Sequence, residues 1–365
     1  MFGTCFYFST GFHGFVLYII YTTININNYY ISTLKTDNKY INKRFYSTAS
    51  SISLKEPELS PYWVTGFCDG ESCFSLRVAK KSTSKAGWGV TPDFKINLHI
   101  KDAILLREIH FFFGVGTVYM NENNNTATYE VQSLRAITNV IIPHFDKYPL
   151  ITQKRADYLL FKQGVDLLNL KAHSKVEGIR DILSLKAASH FPKEGLSDML
   201  KINFPGVLPV TRPVVNFEGI PNPNWFTGFV DGEGSFAVDT TKAKPGGGFY
   251  TQISFSVMVP PLTCVRGGGQ DELLLTKFID YLGCGRIVKA SNRPDGVLFI
   301  VSKFMYIQEK VIPFFHSYPL LGIKSKDYRD FCLVAKIIED KAHLTPEGLK
   351  KIKSLKSGLN KGRIL

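Results

Sequence analysis

Two stretches of the chain end in the same acids: Trp63-Val64-Thr65-Gly66-Phe67-Cys68-Asp69-Gly70-Glu71 and Trp225-Phe226-Thr227-Gly228-Phe229-Val230-Asp231-Gly232-Glu233. Trp, Gly and Phe recur at helical spacing in both, and the Asp-Gly-Glu tail places Gly where a helix commonly stops. Each stretch therefore predicts a short apolar helix. Thr65, Gly66, Thr227 and Gly228 give each helix a small-residue face on which two such helices can approach closely. Packed as a pair, they bring Glu71 and Glu233 together at one end. Two carboxylates held that close repel unless a cation sits between them, and hard oxygen ligands of this kind suit Mg²⁺. The expected chemistry is a divalent-cation site on a pseudo-twofold axis.

On these residues the chain resembles the LAGLIDADG homing endonucleases of the single-chain, two-motif type. The nine letters fall on Val64 to Ser72 and Phe226 to Gly234, so the family's metal-binding acid, at the eighth place, falls on Glu71 and Glu233. Ser72 stands where the motif usually ends in Gly, a departure that touches the helix ending and not the acid. The resemblance implies an α+β fold of two pseudo-symmetric αββαββα domains whose saddle-shaped antiparallel sheets sit on the DNA major groove. It also implies a site-specific double-strand endonuclease that promotes intron homing by metal-dependent phosphodiester hydrolysis, cutting across the minor groove to leave short 3′ overhangs. Glu71 and Glu233 are then both metal ligands and catalytic residues, with Mg²⁺ as cofactor.

Hydrolysis also needs positive charge at the leaving oxygen. Lys154 and Lys324 recur four residues after Pro149-Leu150 and Pro319-Leu320, and the family comparison makes them catalytic candidates for positioning water and stabilising the phosphorane. Their other reading is a lysine that caps a helix start or clamps a phosphate. Asp69 and Asp231 are assigned to structure, as helix-end and seam residues. His173 and His343 share a Lys-Ala-His context on a peripheral helix and are assigned to packing.

The elements around the acids repeat in order. The pair of tryptophans is 162 positions apart, whereas Val140-Ile141-Ile142-Pro143 pairs with Lys310-Val311-Ile312-Pro313, and Lys171-Ala172-His173 with Lys341-Ala342-His343, at 170. The surplus belongs to the second half, with 260–269 as the insertion. A repeat of this length implies two domains of one fold: residues 56–203 and 222–365, joined by a proline-rich linker over 204–221. Within the first unit, alternation predicts strands over Phe74 to Ala79 and Phe94 to His99, a helix over Lys101 to Phe113, and a hairpin of Gly116 to Met120 with Ala127 to Ser133.

The outward faces of the paired strands carry Ser75, Arg77, Lys95, Asn97 and His99 in one half. In the other they carry Ser235, Asp239, Gln252, Ser254 and Ser256. All can bond base edges or phosphates. The loop bearing Lys80, Lys81 and Lys85 is basic and suited to following a phosphate backbone, and Lys242 and Lys244 are placed with it. Two unlike faces imply a long, asymmetric duplex target read by a monomer that requires no protein partner. The alternative function is an RNA maturase that grips its host intron RNA with the same basic saddle; the paired acids, which binding alone does not need, favour the nuclease.

Composition agrees with a polyanion partner. Lys and Arg number 44 against 31 acids, a net charge of +13, with 44% hydrophobic content across 365 residues, enough for two cores. Six cysteines form no Cys-x-x-Cys pair and no zinc spacing with His, which reads as reduced thiols in a reducing compartment. Residues 1–55 differ from the rest. Phe2 to Tyr21 is an apolar run at the margin of a membrane span; its first part, Phe2 to Phe15, resembles a transmembrane stretch of the third subunit of cytochrome c oxidase and then diverges abruptly, as a translated upstream exon fused in frame would. The Asn, Ile and Tyr usage that follows fits an AT-rich organellar genome, and so a mitochondrial matrix location.

Overall fold

The computed structural model describes residues 59–189, 195–242, 249–259, 270–289 and 297–360. The expectations for residues 1–55, for Lys244 and for the insertion at 260–269 lie outside them. Among the described residues no helix is long and apolar enough to cross a membrane.

The first half opens with α1 (Pro61–Glu71), where Pro at the first turn loses no helical hydrogen bond. It stops at Ser72, whose backbone turns extended while its Oγ donates to the Cys68 carbonyl at 2.7 Å. The chain runs directly into β1 (Ser72–Lys80) and returns as β2 (Trp88–His99). After α2 (Ala103–Phe113) come β3 (Thr117–Asn121) and β4 (Thr126–Val131), giving an antiparallel sheet of order β1-β2-β4-β3. The predicted helix start at Lys101 is a 3-10 turn, Ile100–Asp102, capped by the His99 ring accepting from the Lys101 N–H. A helical segment with a π turn at Ile137–Ile141 leads to α3 (Lys154–Asn169) and α4 (Val176–Ala188).

The second half repeats this sequence of elements as α5 (Pro223–Glu233), β5 (Gly234–Lys242), β6 (Phe249–Val259), α6 (Gln270–Leu282), β7 (Arg286–Lys289), β8 (Val297–Val301), α7 (Gly322–Glu339) and α8 (Pro346–Ser357). Its sheet order, β5-β6-β8-β7, is the same. The fold is thus α+β, as expected, with the αββαββα pattern present twice and further short helices around it.

Each sheet turns one face onto helices and leaves the other open, because apolar side chains alternate along the strands. Phe74 and Phe94 lead the first core, packing on Phe145 and Phe161; Phe236 and Phe255 do the same in the second with Phe315 and Phe331. Ring separations match closely, 5.1 Å for Phe74–Phe94 and 5.2 Å for Phe236–Phe255. His173 and His343, expected on a helix, sit instead in 3-10 turns ahead of α4 and α8, each following a lysine with positive φ.

Residues after the short helix Asp198–Asn203 fold back over the first half: Phe204 packs on Trp88, and the Arg180 guanidinium donates to the Pro205 carbonyl at 3.0 Å. Arg212 then reaches Asp157 at 2.6 Å and the carbonyls of Ala188 and Gln153. The proline-rich stretch is pinned by these bonds before the chain enters α5.

Candidate catalytic seam and nucleic-acid face

α1 and α5 cross at their glycines. A methyl group at Gly66 would overlap the Trp225 carbonyl oxygen, and one at Gly228 would overlap that of Trp63, so any side chain at either place would force the helices apart. Thr65 and Thr227, expected on the same small-residue face, turn the other way. A buried hydroxyl needs an acceptor, and these are satisfied within their own halves: Thr65 by the Tyr148 carbonyl, and Thr227 by those of Pro223 and Tyr318.

The tryptophans tie the crossing together. The Trp63 indole N–H donates to Asp231 at 2.8 Å, and the Trp225 indole N–H donates to Asp69 at 2.9 Å. Each carboxylate also holds the loop ahead of its own long helix. Asp69 accepts from the Ile151 and Thr152 N–H groups and from the Thr152 hydroxyl, while Asp231 accepts from the Leu321 N–H. Burial pushes both carboxyls above their usual range, opposed by these donors and by a nearby lysine. The reach of each Trp across the axis is not visible in a composition or period; the only signal is that each Trp stands six residues before an Asp, twice.

Glu71 and Glu233 are the last residues of α1 and α5, half-buried, each against the other helix. A Cβ built on Gly70 would lie 3.2 Å from Glu233 Cγ, and one on Gly232 would lie 3.2 Å from Glu71 Cγ. Glycine immediately before each acid thus leaves room for the opposing one. Burial raises the Glu71 pKa, and Lys154 and Lys324 pull it back down. Those two lysines are half-buried, and desolvation lowers both of their pKa values against the pull of the surrounding acids.

The two lysines are placed symmetrically. Lys154 Nζ donates to the Cys68 and Gly70 carbonyls at 3.0 and 2.6 Å, and Lys324 Nζ to those of Val230 and Gly232 at 3.0 and 2.8 Å. These carbonyls lie in the last turns of α1 and α5, at the negative end of the helix dipole; those of Cys68 and Val230 also accept from the Ser72 and Gly234 backbone N–H groups that close each helix. Each lysine stands in the first turn of one helix, and its ammonium binds the end of another. The four residues expected at the chemical centre are therefore brought to one place.

This donor set suits a hard divalent cation. Two partly desolvated carboxylates flank the axis, and among the described residues no group of three His, Cys, Asp or Glu side chains gathers anywhere to hold a metal. The remaining ligands would be water and substrate oxygens, the pattern Mg²⁺ prefers because it keeps much of its hydration shell. Of the described cysteines, Cys68 and Cys284 are buried and Cys73 and Cys332 half-buried, all free.

The open sheet faces are less alike than the seam. In the first, Lys95 bonds Glu130 at 2.7 Å and lies 3.6 Å from Asp93, and Arg77 lies 3.8 Å from the same Asp93. Burial pulls the Lys95 ammonium down, but Glu130 and Asp93 outweigh it and hold the pKa above its usual range. Asn97 accepts from the Thr128 hydroxyl at 2.6 Å, and His99 caps the following turn. Ser75 is half-buried on β1, opposite Asp93, while Lys80, Lys81 and Lys85 stand exposed around the β1–β2 turn. In the second face Ser235, Gln252, Ser254 and Ser256 are half-exposed, Asp239 lies 3.5 Å from Lys356, and Lys242 is exposed. Sequence reasoning missed Thr128 and Glu130 because they become neighbours of Asn97 and Lys95 only through strand register; Asp93, two residues before Lys95 on the same face of β2, was legible by alternation and passed over.

Comparison with known proteins agrees with this geometry. A family profile described as LAGLIDADG endonuclease matches residues 64–165 and 226–335. A protein of Neurospora crassa named probable intron-encoded endonuclease 3 is 36% identical over 316 residues, covering 86% of this chain. The chain spans 56% of that relative's length. Among solved structures, the homing endonuclease I-SmaMI bound to cleaved DNA superposes with a TM-score of 0.77 at 41% identity, covering 84% of this chain and 98% of the other. I-SmaMI bound to an uncleaved DNA target in the presence of calcium ions gives 0.76 at 41% identity, covering 83% and 100%.

Proposed function

The chain belongs to the LAGLIDADG endonuclease family, and on that premise we propose that it is a site-specific, Mg²⁺-dependent double-strand DNA endonuclease that acts as a monomer on an asymmetric target. The observation that carries this reading is the seam: two acids at the ends of two crossing helices, each fitted against the other helix's glycine, between two open sheet faces. Relatives bound to DNA, one of them in the presence of calcium ions, support both the duplex substrate and a divalent cation. Names of intron-encoded relatives, one from an ND4 intron, support an intron-homing role and a mitochondrial site of action.

In this reading Glu71 and Glu233 hold the cation. When bound it supplies Lewis-acid polarisation of the scissile phosphate and a more acidic attacking water. Burial keeps both carboxylates short of solvent, so that each gains from a cation more than an exposed acid would. Lys154 and Lys324 act first as positioning residues. By holding the last carbonyls of α1 and α5 they fix where the two acids emerge, and their ammonium charges, close to both acids, favour the extra negative charge of the phosphorane. Asp69 and Asp231 are structural, since their oxygens are engaged by indole, hydroxyl and backbone N–H donors.

The sheet faces supply binding. Arg77, Lys80, Lys81, Lys85 and Lys242 give phosphate contacts, and Ser75, Lys95, Asn97, His99, Ser235, Asp239, Gln252, Ser254 and Ser256 line the reading surfaces, with Lys95 and Asn97 exchanging their protein partners for base edges. Incubating the protein with duplex spanning an uninterrupted exon junction, and with a randomised duplex library, tests the reading. A discrete double-strand cut that appears with Mg²⁺ and disappears with chelator is the expected result. Tight binding to duplex or to intron RNA without cutting under any divalent cation would overturn it.

A further inference from the structure

The second sheet carries, on its open face, a row of apolar side chains that the core does not use. Met258, Leu298 and Val288 are direct cross-strand partners on β6, β8 and β7, and Ile300 stands in the next outward-facing row of β8, paired with Ser256 and Arg286. All four are half-exposed. Their neighbours of opposite parity, Ile287, Val297 and Phe299, point the other way and belong to the core packing, so the row lies on the face shared with Ser254, Ser256 and Gln252. Register identifies its counterpart: Phe255–Val301 in the second sheet corresponds to Phe94–Val131 in the first, so Met258, Leu298, Val288 and Ile300 stand where Asn97, Thr128, Tyr119 and Glu130 stand. Where one half offers amide, hydroxyl and carboxylate groups, the other offers methyl and thioether groups only.

An open strand face normally reads polar, and an aligned apolar row on it marks a contact surface. The row is continuous with a face of hydroxyls and amides on a chain of net charge +13, which fixes the class of partner as a polyanion. The major groove displays one apolar group to such a partner, the C5-methyl of thymine. We infer that the row formed by Met258, Leu298, Val288 and Ile300 reads thymine methyl groups, so that the half-site under the second unit requires thymine, or 5-methylcytosine, at the base pairs this row covers. The half-site under the first unit, read by hydrogen-bonding groups at the same places, carries no such requirement. The inference rests on the DNA-cutting function proposed above and adds the base class that one half of the site selects.

Replacing thymine by uracil tests it, because only the methyl group is removed and every hydrogen-bonding edge stays. Targets recovered by letting the full chain cut a randomised duplex with Mg²⁺ would be resynthesised with uracil at each thymine in turn, and affinities measured for the wild-type chain, Leu298→Asn and Met258→Gln. Expected is a cluster of thymines in one half-site only, with uracil weakening wild-type binding about fourfold per methyl, the factor that burying one such group gives. Against Leu298→Asn or Met258→Gln, uracil and thymine targets bind within about 1.5-fold of each other at the affected positions. Uracil targets that bind the wild-type chain as well as thymine targets overturn the inference while leaving the nuclease intact. So do variants that lose thermal stability yet keep full sensitivity to uracil, since the row would then be packing against the chain itself. A chain that neither binds nor cuts any duplex overturns the nuclease and this inference together.

Discussion

At the seam the two halves agree almost distance for distance: 2.8 and 2.9 Å for the indole bonds, 2.6 and 2.8 Å for the lysine bonds to Gly70 and Gly232, and a glycine on each helix that tolerates nothing larger. On the open faces they diverge, Lys95 against Ser256, Glu130 against Ile300, Arg77 against Asp239. The difference follows from what each surface must fit. A seam residue faces its own counterpart, so any change on one side needs an answering change on the other. A face residue meets one half of an external partner, and the two halves of an asymmetric duplex impose different demands. The chain is symmetric where it faces itself and asymmetric where it faces a substrate.

Breaking the symmetric part has the largest expected effect. Gly66→Ala and Gly228→Ala each push a methyl group into backbone, and either is expected to cost at least about 3 kcal/mol in chemical denaturation, with similar losses on the two sides. If one were tolerated, the helices would not cross as described.

One core position departs from the symmetry and makes stability depend on pH. His144, where the second half has Phe314, donates to or accepts from Thr65 at 3.1 Å, and burial pulls its pKa from 6.5 down to about 4. The folded state keeps the ring neutral while the unfolded chain takes a proton below 6.5, so stability present above that pH is lost as pH falls towards 4. The loss from this group is about 2–3 kcal/mol by pH 4. Melting curves from pH 7.5 to 4.5 should show His144→Phe flattening the acid side of the profile relative to wild type.

A subtler asymmetry lies in the aspartates. Asp69 keeps three donors from the Ile151–Thr152 loop when Trp225 is replaced, whereas Asp231 keeps only the Leu321 N–H among its hydrogen bonds when Trp63 is replaced. Trp63→Phe is therefore expected to cost about 1–3 kcal/mol, and Trp225→Phe less, because a buried carboxylate short of donors bears the desolvation penalty. Equal losses would mean that the loop bonds do not compensate. Least of all, Glu130→Gln should change stability by under about 1 kcal/mol, since the Lys95 pair is partly solvent-screened, while shifting base preference in the first half-site alone.

Much of this architecture is legible in the sequence. The period-two alternation of Phe74 to Ala79 and Phe94 to His99 marks strands, and the repeated Trp-to-Glu stretch marks the crossing helices, because burial on one face leaves its period in the chain. The acids and lysines of the centre are legible for a different reason: each occurs twice in the same context. What stays hidden depends on register and on contacts between distant segments. Thr65 has the size of a seam residue, yet its hydroxyl is held by the Tyr148 carbonyl and the His144 ring, both far away in sequence. Lys95 and Asn97 read as free to meet a ligand, yet Glu130 and Thr128 face them from β4. Helical and strand periods show which face a residue takes, not which neighbour waits there.

The central claim is that Glu71 and Glu233 form one centre with equal parts. Its most direct test is single-turnover cleavage of a cognate duplex labelled on both strands by wild type, Glu71→Gln and Glu233→Gln. Each substitution keeps shape and removes charge, so target affinity should stay within about threefold while double-strand cutting falls by at least about a hundredfold in both variants. A variant of either acid that still cut both strands at the wild-type rate would contradict the account.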